Sequence, residues 1–290
     1  MTQWRLKSAR LRVGVLWRSL FDVGVWSRFG RNPRESLLWL LTPILDVSYQ
    51  RRNSATIARS HDVVLSNLSA LQSGRVKIVD LSELHTLEPF SRYRNTDAAD
   101  RLGAAFAGHN SDKARHDYHL IYQPILAMVA ESNPLPCLFE IGIGSNNLRV
   151  SNNMGVLGTP GASLRAFRDW LPTGRLIGGD VDASVLFNEE RISTHFLDQL
   201  RPESLRAVLQ KNSPIDLLID DGLHTAEANS NTVISWLSVV QPSGWLVVED
   251  ISPGRSSEDL WKLLGQLLPA GYQSWLVKTS VGYCFLSRRD

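Results

Sequence analysis

Cys137-Leu138-Phe139-Glu140-Ile141-Gly142-Ile143-Gly144 is a short apolar run that ends in two glycines spaced by one residue. A run of this length closed by a turn reads as a buried strand, and glycines directly after it let the backbone come close to a ligand. Similar runs follow at Arg175–Asp180, 192–198, Ile215–Asp220 and 244–250. Helical patterns lie between them at 163–171, 202–211, 225–240 and 257–268, and this alternation is that of an open parallel sheet with crossover helices. Upstream, Tyr118, Ile121, Tyr122, Ile125, Leu126 and Val129 mark a helix that ends at Asn133-Pro134. In the tail, 272–279 and 281–287 are separated by a link too short for a parallel crossover, so they must pair antiparallel.

The chain has 290 residues, 43% of them apolar and 21% charged, enough to bury a large core. Lys and Arg number 31 against 29 acids, and a net charge of +2 gives no reason to expect a nucleic-acid partner. Cys137 and Cys284 are too few for a disulfide scaffold or a Cys-rich zinc site, which points to a reducing cytoplasm. The longest apolar stretch, 37–45, is broken by Thr42 and Pro43, so no membrane span is predicted. Residues 1–60 read as helical, and up to Arg34 the only acid is Asp22 against eight Lys and Arg, interleaved with Trp4, Trp17, Phe21 and Trp26. Such an amphipathic basic segment suits the inner face of an anionic membrane, the chain's own catalytic part or a second subunit. The stretch 61–110 is mixed, with a strand expected at Val76–Asp80 and a poorly periodic polar run over 91–110. The expected division is therefore a basic, mostly helical region 1–110 and a catalytic domain 111–290.

Open-sheet ligands sit beyond the carboxyl ends of the strands, so a nucleotide-like cofactor is expected at Gly142 and Gly144. The dinucleotide fingerprint needs a third glycine where this chain has Asn147. Glu140 would repel a diphosphate but tolerates the sulfonium and ammonium of S-adenosylmethionine. Asp180, closing the second run, is the acid expected to accept the ribose hydroxyls. It lies further from the glycines than the roughly 20 residues of the dinucleotide pattern, and the Gly-, Asn- and Ser-rich 145–161 reads as a loop inserted over the site. Asp198 and Gln199 follow the third run, where adenine would lie, although a helix-capping acid explains Asp198 as well.

Asp220-Asp221-Gly222-Leu223-His224 follows the fourth run, and Glu249-Asp250 closes the fifth. If those strands are neighbours, Asp221 and Asp250 face each other, and a hard cation such as Mg²⁺ relieves their repulsion. A histidine of pKa about 6.5 facing a hydroxyl near water's 15.7 is short by roughly 12 kcal/mol of complete proton transfer. His224 therefore needs charge stabilisation of the acceptor oxygen. Capping acids and a surface histidine are the bland alternative, weightiest for Asp220.

A parallel sheet finished by an antiparallel hairpin is the doubly wound, Rossmann-like plan of class I methyltransferases. The stretch 111–251 resembles the magnesium-dependent sugar O-methyltransferases of macrolide biosynthesis, the mycinamicin and macrocin group, and related rhamnosyl O-methyltransferases. The resemblance is carried by Ser111-Asp112-Lys113, His116-Asp117-Tyr118 with Tyr122, the turn 140–144, Ser163-Leu164-Arg165, Gly174-Arg175, Asp180, Asp198-Gln199, Asp220-Asp221-Gly222 with His224, and Glu249-Asp250. It implies Asp221 and Asp250 as metal ligands, His224 as the base with Asp221 beside it in catalysis, Ser111-Asp112-Lys113 as a lid near the cofactor, and Lys113, His116 and Tyr118 as acceptor contacts. The family supplies a further acidic ligand after the first glycine turn, yet 142–168 contains no Asp or Glu; Asn146, Asn147, Asn152 and Asn153 offer neutral oxygens there. Glu140, Gly142, Gly144, Asp180, Asp198, Gln199 and Asp220 are the expected cofactor contacts. The implied activity is methyl transfer from S-adenosylmethionine to a sugar hydroxyl of a small glycoside or lipid-linked glycan. A metal-free small-molecule methyltransferase and a non-catalytic scaffold are the alternatives.

Overall fold

The computed structural model describes residues 76–155 and 157–290; the basic amphipathic stretch and the apolar run 37–45 lie outside them. Among the described residues a nine-stranded sheet has the order β1-β8-β9-β7-β6-β2-β3-β5-β4. In chain order these strands are β1 (Val76–Asp80), β2 (Cys137–Ile141), β3 (Arg175–Asp180), β4 (Asn188–Glu189), β5 (Ile192–Phe196), β6 (Ile215–Asp220), β7 (Val240–Ile251), β8 (Tyr272–Lys278) and β9 (Tyr283–Arg289). Strands β5, β3, β2, β6 and β7 run parallel, and β9 is antiparallel to both β7 and β8. The expected parallel sheet with a terminal hairpin is therefore present. Two edge strands extend it: β1 parallel to β8, and a short β4 antiparallel to β5.

Alternation along each strand divides the core into two layers. On one face Leu138, Leu176, Leu217, Ile219, Trp245 and Val247 pack under α3 (Thr96–Gly108), α4 (Tyr118–Ser132) and α5 (Ala162–Trp170). On the other, Phe139, Ile141, Ile177, Leu218, Leu246 and Val248 pack under α6 (Pro202–Asn212), α7 (Ala226–Trp236) and α8 (Arg255–Leu267). Trp236 and Trp245 are wholly buried, as a packing role requires, and no helix of the described residues is long and apolar enough to cross a membrane.

Three sequence expectations need correction. The run 91–110 is not irregular: α1 (Leu81–Leu84) and α2 (Phe90–Tyr93) precede α3, whose first turn is capped by Asn95 Oδ1 accepting from Ala98 N at 2.9 Å. The buried stripe of α3 is Ala98, Ala99, Leu102, Gly103 and Phe106, so small residues carry a helical period that apolar counting overlooks. The boundary at 110 also shifts, because the compact unit that holds the sheet extends upstream at least to Val76. The helix expected over 225–240 stops at Trp236, and Val240 already opens β7.

Phe90 illustrates why this upstream segment belongs to the core. Its ring is fully buried and meets Trp245 and Trp275 edge-on, at centroid distances of 5.5 and 5.0 Å. Replacing Phe90 with Ala is expected to cost about 3–5 kcal/mol, read as a lower midpoint in urea unfolding of the whole chain. A midpoint within error of wild type would separate 76–110 from the folded unit.

Candidate active site

The crossover direction reverses between β2 and β6, the place where open α/β sheets bind ligands. Register brings Ile141 level with Gly179 on β3 and with Asp220 on β6, and Asp220 level with Val248 on β7. The residues just beyond these positions form the site. Gly142 has φ +82, and a Cβ there would stand 2.2 Å from the Asp221 carbonyl oxygen. Only glycine allows this approach of the two turns. Gly144, at φ +87, is covered by Met154.

A cavity of about 380 Å³ opens against this turn, lined among others by Gly142, Gly144, Asp180, Asp198 and Leu223. Its apolar wall includes Val181, Leu197 and Leu200, and the volume suits a nucleoside-sized ligand. Asp180 Oδ2 accepts from Ile143 N at 3.1 Å and Oδ1 from Asp182 N at 2.9 Å, so the acid is locked with lone pairs left over. Burial raises its pKa, and these backbone donors oppose the rise. Asp198 holds its own turn through Leu200 N at 3.0 Å while lining the cavity.

Three residues expected at the cofactor have their side chains engaged by other groups of the protein. Asp220 is wholly buried and accepts from Gln199 Nε2 at 2.8 Å and Asn229 Nδ2 at 3.0 Å. Gln199 lines the cavity, but its amide is occupied by Asp220, Thr232 and Leu223 N. Glu140 lies beneath the glycine turn, accepting from Ser163 Oγ at 2.6 Å, and lines neither cavity described here. Asp220 and Glu140 thus brace the turns from behind, while Gln199 braces them from the cavity wall.

The fourth- and fifth-strand acids and the histidine do converge. Asp221, His224 and Asp250 each offer a ligand atom within 4.8 Å of the others. His224 Nε2 is 3.7 Å from Asp221 Oδ1 and 3.7 Å from Asp250 Oδ2. Both His224 (φ +55) and Asp250 (φ +52) hold left-handed backbone, and the β7–β9 pairing is irregular between Val248 and Ile251. Such strain costs about 1–3 kcal/mol per residue and persists where the surroundings impose it. Among the described residues, His224 Nδ1 is buried without a hydrogen-bond partner. Two carboxylate oxygens within reach of one point suit a hard divalent cation completed by water, whereas an imidazole is a poorer ligand for Mg²⁺ and is chemically able to take up a proton.

A second cavity, of about 460 Å³, lies over this trio and shares Gly142, Gly144, Asn152 and Asp221 with the first. Polar groups line much of it, among them Asn110, Asp112, Arg115, His116 and Thr159. Asn152, Asn153, Met154, Leu157, Gly158 and Thr159 of the inserted loop also line it. Asn146 Nδ2 donates to the carbonyls of Gly155 and Gly158, and Asn152 Nδ2 reaches Gly222 O at 2.6 Å, strapping the loop across the junction.

Two residues expected at the acceptor sit deeper. Lys113 is 2% exposed, and its Nζ meets Asp221 Oδ2 at 2.7 Å, Glu249 Oε1 and Oε2 at 2.7 and 2.8 Å, and Glu140 Oε1 at 3.4 Å. Tyr118 is 1% exposed; its hydroxyl donates to Asp250 Oδ1 at 2.6 Å and accepts from Asp250 N at 3.0 Å. Tyr122, expected as core, keeps its ring there while its hydroxyl donates to Glu249. Of the three, Lys113 and His116 line the second cavity and Tyr118 does not. The role of Glu249 was missed because nothing in a Glu-Asp pair says which member turns inward.

The electrostatics follow from one ammonium among three acids. Burial pulls the Lys113 pKa down, yet Asp221, Glu249 and Glu140 together hold it well above the ordinary lysine value. Burial raises Asp221 despite Lys113, and raises Glu249 well above the carboxylate range, with the Asp221 charge adding to it. Glu140 is pushed up to about 7, chiefly by burial. Negative charge is thus in excess, and the cluster favours an added proton or cation.

Residues 161–251 match the family model described as a methyltransferase domain. The chain is 31% identical over 152 residues to the 8-demethyl-8-(2-methoxy-alpha-L-rhamnosyl)-tetracenomycin-C 3'-O-methyltransferase of Streptomyces olivaceus, covering 52% of this chain and 36% of that one. It is 32% identical over 91 residues to the demethylmacrocin O-methyltransferase of Streptomyces fradiae, covering 31% and 23%. A structure titled as the MycE methyltransferase of the mycinamycin pathway with Mg and SAH matches at 25% identity and TM-score 0.44, over 51% of this chain and 39% of that one. The match to these curated relatives spans about a third of their length or less.

The Glu140 pKa has a consequence for stability. The folded chain holds this proton up to about 7 and the unfolded chain releases it near 4.5, so the folded state loses stability as pH rises between them. Glu140→Gln is expected to reduce that loss, measured as the urea midpoint from pH 4.5 to 7.5. Asp221 and Glu249 shift in the same direction and keep a residual slope.

Proposed function

We propose that this chain, which carries a methyltransferase domain, transfers a methyl group from S-adenosylmethionine to a sugar hydroxyl of a small glycoside or lipid-linked glycan. The observation that carries the reading is the pair of adjoining cavities that meet at Gly142, Gly144, Asn152 and Asp221, with Asp221, His224 and Asp250 on the second. The polar lining of the second cavity suits a polyhydroxylated acceptor, and the activities for which the rhamnosyl and macrocin relatives are named support a sugar. The chain is further proposed to work in the cytoplasm, with the basic segment up to Arg34 contacting an anionic membrane face or a second copy.

In this reading Asp180 accepts the ribose hydroxyls, and Asp198 faces the adenine. The acceptor oxygen bonds to the methyl carbon, the carbon–sulfur bond breaks with its electron pair left on sulfur, and the hydroxyl proton passes to His224 Nε2. Asp221 Oδ1 and Asp250 Oδ2 flank that nitrogen and stabilise the imidazolium as it forms. A divalent cation on the same two oxygens would supply positive charge against the developing alkoxide. A metal-free reaction is the second reading, and Lys113 favours it, because an ammonium already neutralises part of the acid cluster.

Screening nucleotide sugars and lipid-linked glycans with methyl-labelled cofactor tests the acceptor class; labelling of protein or phenols alone would overturn it. His224→Ala is expected to lower turnover by about 10²–10⁴-fold with cofactor affinity kept. Asp180→Asn, which removes a charge facing the ribose, is expected to weaken cofactor binding about tenfold or more in a calorimetric titration. A chelator is expected to stop turnover and added Mg²⁺ to restore it, whereas unchanged turnover selects the metal-free reading.

A further inference from the structure

The two carboxylates of the trio are built alike, each with one oxygen held from behind and the other free toward the cleft. For Asp250 the holder is the Tyr118 hydroxyl, at 2.6 Å from Oδ1. For Asp221 it is Lys113, whose Nζ lies 2.7 Å from Oδ2 and gives the one hydrogen bond to that carboxylate among the described residues. The oxygens left over, Asp221 Oδ1 and Asp250 Oδ2, are those that stand 3.7 Å from His224 Nε2. Lys113 can hold this position because it is itself over-determined. Both Glu249 oxygens lie within 2.8 Å of Nζ, and Ser111 Oγ accepts from Lys113 N at 3.4 Å at the start of the short 3₁₀ turn Asp112–Ala114.

We infer that Lys113 is the positioning residue of this site: its buried ammonium fixes the Asp221 carboxylate so that Oδ1 meets Asp250 Oδ2 as a ready-made cation-binding pair. The inference rests on the proposed reading of Asp221 and Asp250 as the cation ligands. It differs from a merely structural role, in which Lys113 does no more than offset the charge of Glu249 and Glu140.

The two roles separate in the double variant Lys113→Met with Glu249→Gln, compared with Glu249→Gln alone. That step removes one positive charge together with the hydrogen bond to Asp221, so a role in charge offset alone would tighten cation binding, whereas lost positioning weakens it. With Mn²⁺ as the probe, the folded double variant is expected to bind the ion about 10–100-fold more weakly than Glu249→Gln alone, the usual effect of losing a residue that orients a ligand. Cofactor affinity is expected to stay within about twofold, a span well inside a tenfold step of 1.4 kcal/mol. Mn²⁺ binding equal to that of Glu249→Gln would overturn the inference. If the exchange does not fold, Lys113→Arg serves the same comparison, since it keeps the charge but replaces a compact head by a planar fork. A crystal structure of the folded variant reads the positioning itself: Asp221 is expected to turn, and an Oδ1 displaced by less than about 0.5 Å would overturn the inference. That measurement decides the role of Lys113 even if the unaltered chain binds no Mn²⁺, an outcome that would remove the cation reading alone.

Discussion

A single ammonium group, wholly enclosed, stands between three acids that come from three different strands' ends. Lys113 contacts Glu140 from β2, Asp221 from the turn after β6 and Glu249 from β7, so it joins the carboxyl edge of the sheet at its centre. Leaving any of these charges alone inside the protein would cost several kcal/mol. The interaction therefore ties the helical layer before β2 to the three central strands. Removing either side leaves charge that the interior cannot solvate.

The layer that delivers Lys113 also delivers the tyrosines. α4 begins at Tyr118, and one turn later Tyr122 points the same way, as helical spacing requires. The Tyr122 ring meets Phe106 and Phe167 edge-on at 6.3 and 5.2 Å, and the Tyr118 ring lies 6.5 Å from that of Tyr122. Their hydroxyls emerge beneath Asp250 and Glu249. An apolar stripe thus carries a polar tip at each of two positions, which lets one helix both fill the core and aim the acids. The left-handed backbone at His224 and Asp250 is held between these fixed points.

The glycine turn governs how closely the two cavities adjoin. With Gly142 pressed against the Asp221 carbonyl, the cavity lined by Asp180 and the cavity lined by His224 share Gly142, Gly144, Asn152 and Asp221 in their walls. Asn152 and Met154 close that wall from the loop side. A donor group and an acceptor group bound in the two spaces would be held near each other, which removes the entropic cost of bringing them together during reaction.

Much of the fold was legible because strand length, glycine turns and the short link in the tail are local properties. The strands β2, β3 and β6 lie within a residue of where the apolar runs put them, and the tail pairs antiparallel as chain geometry demands. The helix α3 was not legible, since Ala and Gly bury a face without raising apolar content. The convergence of Asp221, His224 and Asp250 followed from strand adjacency and turn spacing. What each neighbouring acid does was decided only in three dimensions. Successive residues leave a strand on opposite faces, so Asp220 turns to Gln199 and Asn229 while Asp221 turns to Lys113. The covering helix on each face sets whether an acid is a turn support or a site group. The sequence by itself determined the parallel strands with their antiparallel tail hairpin, the edge at which chemistry gathers and the residues that gather there; the tertiary structure alone decided the strand order and that Lys113 lies beneath that edge, because a lysine's burial depends on acids more than a hundred positions downstream closing around it.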